Sequence, residues 1–141
     1  MDVVLQTNTA NPAFALRHIR WFSDGSGYSS EYVVHSGGFS AARPFYFEAH
    51  PLRTFLNSLE AMDRDLRGSA ELKPMFEPDF VRLILDHIGH LEVSGELTEQ
   101  APGRQSLVFS FQTDQTCLKP LIKEIRDVAA LQQKSSRQVA P

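Results

Sequence analysis

Between Phe109 and Val128 the chain reads FSFQTDQTCLKPLIKEIRDV, and its apolar residues change period within the stretch. Up to Phe111 they occupy every second position, the repeat of a strand with one buried face. From Leu118 they fall at Leu118, Leu121, Ile122, Ile125, Val128 and Ala129, the stripe of an amphipathic helix whose wet side carries Lys119, Lys123, Glu124 and Asp127. Such a helix, about 116 to 131, has to lay its stripe on a sheet or another helix, and the preceding strand offers the sheet. An earlier stripe follows Pro51: Leu52, Phe55, Leu56, Leu59 and Met62 lie on one face of a helix of about 51 to 66 that ends near Gly68.

Strand rhythms fill the spaces before each helix. AFALRHIRWF (Ala13 to Phe22), EYVV (Glu31 to Val34) and FSAARPFYFE (Phe39 to Glu48) are β-branched or aromatic, with SDGSGYSS and Gly37-Gly38 as breaks and Pro44 suited to an edge or bend. Residues 1 to 12 are polar and read as a leader before the first strand. Residues 69 to 79, with Pro74 and Pro78, read as a connection. Beyond them LILDH and LEVSGEL form a hairpin turning at His87 to Gly89, and SLVFSF returns with Leu107, Phe109 and Phe111 inward. The expectation is an α+β fold: an antiparallel sheet of about six strands with two helices, ordered strands, helix, strands, helix. No residues match between the two halves, so the repeated order is not read as a duplication.

At 141 residues the chain suits a single domain, taken as residues 1–131, followed by a polar tail without periodicity over 132–141. Seventeen acidic against fourteen basic residues provide no broad positive field, which argues against nucleic acid as partner. One cysteine excludes an intrachain disulfide and a Cys-rich zinc cage, and suits a reducing, cytoplasmic setting. The apolar run Val3-Val4-Leu5 is too short for a signal segment, and no window is long and apolar enough for a membrane span.

Reactive residue types are present but do not assemble. Asp114 or Thr116 in TDQTC can cap the last helix, and Cys117, early in that helix, is most simply a small buried apolar residue, since a thiol nucleophile needs a base. His87 and His90, with Asp86, sit around a glycine turn and lack the spacing of a zinc motif. His18, His35 and His50 are scattered. SDGSGYSS lacks the spacings of a phosphate loop, and Asp63 and Asp65, two apart, do not face one another on a helix. No catalytic residue, metal or cofactor is expected.

In YSSEYVV followed by GGFSAARPFYFE, in LEAMDRDLRG, and in GHLEVSGEL with LVFSFQTDQTCLKPLIKEIRDV, the chain resembles the WapI-family immunity proteins and related small bacterial domains, from about Trp21 to Leu131. The resemblance implies a cytoplasmic, non-enzymatic protein that protects a toxin-producing bacterium by binding its cognate toxin. It assigns no contact residues. Inhibition by occlusion asks for a stable scaffold and an exposed patch of aromatic anchors ringed by polar groups, and WFSDGSGYSSE offers Trp21, Asp24, Tyr28 and Glu31, against the alternative that Trp21 belongs to the core and the loop is an idle hairpin. The alternative is a small enzyme or ligand-binding domain with a pocket between sheet and helices and Cys117 or His87/His90 as reactive groups. A gene immediately upstream for a large secreted protein with a variable C-terminal domain separates the two.

Overall fold

The structure, a computed structural model, describes residues 1–139 and the side chains of residues 1–133. It contains eight strands and two helices in the order β1 (Val3–Val4), β2 (Ala13–Trp21), β3 (Tyr28–Ser36), β4 (Phe39–Phe47), α1 (Ala49–Asp65), β5 (Gly68–Leu72), β6 (Phe80–Leu85), β7 (His90–Glu99), β8 (Gln105–Asp114) and, after a 3-10 turn at Gln115–Cys117, α2 (Leu118–Val139). The class is α+β and every strand pair is antiparallel. The sheet count differs from expectation: there are two sheets of four strands, β1-β2-β3-β4 and β5-β6-β7-β8, in place of one of about six.

Two short strands account for the rise from six strands to eight. Val3 and Val4 lie inside the segment read as a leader, yet they pair with Leu16 and Ala15. A two-residue strand is too brief to show a period. Gly68–Leu72 starts at the glycine read as the end of the first helix and runs into the segment read as a connection, where Gly68 and Ser69 mask the inward alternation of Ala70 and Leu72. The loop SDGSGYSS is also shorter than its composition suggests, because Tyr28, Ser29 and Ser30 already pair with Phe47, Tyr46 and Phe45. α2 runs past the end of its apolar stripe to Val139. The tail assigned to 132–141 therefore begins within it, and residues 140 and 141 lie outside the described residues.

Both helical stripes are buried as the spacing requires. In α1 these are Leu52, Phe55, Leu56, Leu59 and Met62; beneath α2 they are Leu118, Leu121, Ile122, Ile125 and Val128. α1 follows the first sheet but packs on β5, at the start of the second. α2 follows the second sheet but packs on β1 and β2, at the start of the first, and the two helices also touch. Each helix thus braces the other half, and a single apolar cluster runs through both sheets. Where the sheets meet, the ring of Tyr32 on β3 lies 6.3 Å from Phe109 on β8, and its hydroxyl donates to the Phe80 carbonyl at 3.0 Å.

The N-terminal residues also hold an irregularity in β2. Register shifts between Arg17 and Arg20, and His18 has φ of 56°, a left-handed conformation unusual for a residue with a Cβ. Its N–H donates to Asp2 Oδ1 at 2.8 Å, and the next N–H, of Ile19, donates to the Met1 carbonyl at 2.8 Å. The bulge turns Ile19 inward, where it is buried.

Candidate partner-binding surface

The β2–β3 connection is a compact loop closed by backbone bonds from Phe22 N–H to the Gly27 carbonyl (2.9 Å) and from Gly25 N–H to the Phe22 carbonyl (3.0 Å). At its tip Asp24 Oδ1 accepts from the Ser26 N–H at 2.9 Å, and bonds from Ser26 hold its carboxyl below the usual range. Gly27 has φ of 146°, and a Cβ there would stand 2.6 Å from the Phe47 carbonyl, so only glycine lets the loop lie against the end of β4.

The four residues drawn from this loop by sequence do not form one patch. Tyr28 is 1% exposed: its ring stacks on Phe47 at 5.2 Å, and its hydroxyl donates to the Val128 carbonyl of α2 at 3.2 Å. Trp21 is half-buried against it, with centroids 4.8 Å apart. Asp24 is exposed at the tip, and Glu31 is exposed on the opposite face of the first sheet, between Arg17 and Pro44. Successive strand residues point to opposite faces, so Tyr28 and Glu31, three apart, diverge.

The exposed aromatics here are ones the sequence reading passed over. Phe22, at the loop entrance, stacks with Tyr46 on β4 (6.5 Å, interplanar angle 20°), and both are exposed. Two residues beyond Tyr46, Glu48 occupies the cap position of α1 without capping it. Its Oε1 instead accepts from the Met75 N–H at 3.0 Å. That bond ties down a loop bearing Met75, 65% exposed, and Phe76, 87% exposed. Glu48 thus ties the Met75–Phe76 loop to the start of α1, while Phe22 and Tyr46 stack beside the β2–β3 loop that carries Asp24. A signal for this existed in KPMFEP, where an apolar pair stands between two prolines with no period that would bury it.

The candidate reactive groups are engaged in holding the fold. Asp114 Oδ1 accepts from the Thr116 hydroxyl and, at 2.9 Å, from the Thr116 N–H, which caps the 3-10 turn; these bonds keep its carboxyl below the usual range. Cys117 is buried, its Sγ donates to the Gln6 carbonyl at 3.1 Å, and burial pushes the thiol up. Asp86 Oδ1 accepts from the N–H groups of Ile88 and His90, at 3.0 and 2.9 Å, building the turn that separates His87 from His90. Among the described residues no three His, Cys, Asp or Glu side chains form a metal-binding group.

Where β4 faces β7 and β8, a cleft of about 230 Å³ is lined by Ser40, Arg43, Glu99, Gln105 and Leu107. Arg43 Nε is buried and unpartnered, while its Nη1 lies 3.9 Å from Glu99. Nearby Asp79, 5% exposed, accepts from the Thr98 N–H at 2.9 Å; burial pushes its carboxyl above the usual range, opposed by that bond and by Arg43. The Arg43–Glu99 pairing joins opposite charges from the two sheets.

The family model described as the Immunity protein WapI-like family matches residues 8–131. No curated protein and no solved structure matches the chain. No helix among the described residues is long and apolar enough to cross a membrane.

Proposed function

The chain belongs to the Immunity protein WapI-like family, and from that premise we propose that it neutralises a cognate secreted toxin by binding it, without catalysis, in the cytoplasm of the producing cell. The observation that supports a binding role is the exposure of the stacked pair Phe22 and Tyr46 and of Met75 and Phe76, whose loop Glu48 tethers. Large apolar side chains kept at the surface by specific contacts cost solubility, and they are the residue types that anchor protein interfaces. In this reading Asp24 and Glu31 contribute charge around the anchors, while Trp21 and Tyr28 support the loop from beneath.

The test uses the C-terminal toxin domain encoded immediately upstream, titrated with the purified chain by calorimetry. Wild type should bind one to one, and Tyr46→Ala combined with Phe76→Ala should weaken binding at least about tenfold, a modest share of what interface anchors carry, with Tm unchanged. Failure of the wild type to bind that domain defeats the function. Wild-type binding that the double variant retains defeats only the surface. Asp24→Ala should produce a smaller loss, seen mainly as slower association, since rim charges act through steering.

A further inference from the structure

Each sheet has an edge strand without a covering helix, and the two are finished differently. In the first sheet that strand is β4. Its hairpin with β3 closes on the pair Ser36 and Phe39 across the two-residue turn Gly37-Gly38. Such a closing pair is hydrogen-bonded, so even-numbered residues of β4 face outward. Pro44 is one of them, and its missing N–H interrupts the open edge. In the second sheet the strand is β8, ten residues long and in unbroken register with β7. The Gln115 N–H donates to the Gly89 carbonyl at 3.1 Å in the same register. The odd-numbered residues of β8 therefore exchange bonds with β7, and Ser106, Val108, Ser110 and Gln112 turn their N–H and C=O groups to the open side. Between Arg104 and Asp114 this edge holds no proline, no charge and no bulge, the devices by which proteins keep an edge from pairing.

The strand is also close to a palindrome in chemical type. Read about Phe109, an antiparallel second copy sets Leu107 against Phe111 and Phe109 against Phe109 on the inner face. On the outer face it sets Val108 against Ser110, Ser106 against Gln112, and Arg104 against Asp114 at both ends. Like meets like in the interior, opposite charge meets opposite charge at the ends, and the outward-facing residues fall opposite one another, as hydrogen bonding between the copies requires. Leu107 and Phe111 are only partly buried in the single chain, and Val108 is 73% exposed. Asp114 spends Oδ1 on Thr116, while Oδ2 has only Asn8 at 3.5 Å and can receive an arginine. We propose that two copies of this chain join through β8, antiparallel about Phe109, into a continuous eight-stranded sheet. This surface is separate from the aromatic group at the β2–β3 end, so it stands or falls independently of toxin binding.

Sedimentation equilibrium of the full chain tests it. Wild type should be dimeric at about 100 μM, a concentration at which even a modest micromolar interface is populated. Ser110→Pro gives β8 the outward proline that β4 already has; it spares the backbone bonds to β7, removes only the exposed bond from the Ser110 hydroxyl to Glu92 Oε1 at 3.2 Å, and should yield a folded monomer with unchanged far-UV circular dichroism. Arg104→Asp sets aspartate against Asp114 at both ends and should raise the dimer Kd about tenfold. Adding Asp114→Arg should recover most of that loss although the cap is gone, which a general loss of stability would not do. A monomeric wild type at that concentration overturns the proposal. So does a dimer indifferent to Ser110→Pro and to the charge exchange. If every form is monomeric and Ser110→Pro abolishes toxin binding instead, the edge belongs to a toxin strand and the second copy is excluded.

Discussion

The first sheet buries mostly rings among its large side chains, and the second, apart from Phe109, buries aliphatic ones. Phe14, Tyr28, Tyr32, Phe45 and Phe47 are buried in the former, with Phe14 and Phe45 edge-on to Tyr32 at 5.3 Å each. In the latter Ala70, Leu72, Val81, Leu83, Val93 and Leu97 are buried, and Gly95 presents no side chain at all. Strand order and connectivity repeat between the halves; volume does not. A tyrosine wide enough to reach across needs an opposing gap, and Gly95, paired between Val81 and Phe109, is that gap. Close packing at native density is satisfied by complementary unlike surfaces, and it gives no reason for two halves of similar layout to share residues.

The sharpest way to break that complementarity is to fill the gap. A Cβ at Gly95 would stand 2.5 Å from the Phe80 carbonyl oxygen and closer still to the Tyr32 hydroxyl. The backbone oxygen has little freedom to retreat, so Gly95→Ala should destabilise by about 3 kcal/mol or more, at the upper end for overpacking. Chemical denaturation measures it. Tyr32→Phe removes one of the three obstructing atoms, the third being Cε1 of Phe109 at 2.9 Å, so Gly95→Ala should cost less in that background. Strictly additive losses would mean that the sheets do not interlock at this point.

Next in size is the exchange of helices between halves. Ile125 is buried on α2, which braces β1 and β2, and Leu59 is buried on α1, which braces β5. Ile125→Ala and Leu59→Ala should each lose about 2 to 5 kcal/mol, as buried aliphatic truncations do. Because each helix ties its own half to the other, both variants should unfold in one transition by fluorescence and circular dichroism alike. A loss under about half a kcal/mol from Ile125→Ala would put that residue on the wrong face, and two separated transitions would show halves that fold independently.

How much of this was legible in the sequence follows the same division. Both helices, their buried stripes, the cap at Asp114 and the hairpin at His87–Gly89 could be read, because period and turn chemistry are local. β1 and β5 could not: a two-residue strand has no period, and Gly68-Ser69 obscures the start of the other. Nor could the division into two sheets, since Tyr32 seated over Gly95 is a contact between residues 63 positions apart that no local pattern records. Which aromatics reach the surface was not legible for a related reason: Trp21 suited an anchor or the core, since an aromatic in a strand is exposed or buried according to its face, which the bulge at His18 and the register with β4 decide. Phe76 stood outside any period, which was itself the clue.

The helix starts differ as well, with a smaller expected effect. Asp114 caps the turn leading into α2, whereas Glu48 at the start of α1 leaves the helix uncapped and holds Met75. Asp114→Ala should lose on the order of 1 kcal/mol by denaturation. Glu48→Ala should lose less, and its consequence should be faster amide exchange at Met75 and Phe76, since it removes the tether and no cap. Equal losses at the two positions would contradict the distinction.

The smallest effect concerns the charges between the halves and is read as a change with pH. Asp79, on the second sheet's side, is held above the usual carboxyl range chiefly by burial, while Arg43 of the first sheet opposes the shift. A folded chain that holds this proton more tightly than the unfolded chain gains stability that is fully present below the unfolded value, about 4, and lost as pH rises through the folded value. Asp2, Asp24, Asp86 and Asp114 are held low, so their stabilisation runs the other way, present above the unfolded value and lost on acidification. Wild type alone therefore mixes opposing slopes, and the informative quantity is the difference from Asp79→Asn. The amide oxygen can still accept from the Thr98 N–H while no buried charge forms. The variant's Tm relative to wild type should rise as pH goes from about 4 to about 7, across the carboxyl range, and level off above it. A relative Tm that falls over this interval would mean that the ionised Asp79–Arg43 pair stabilises the junction, and that attraction between the sheets outweighs the cost of burying the carboxylate.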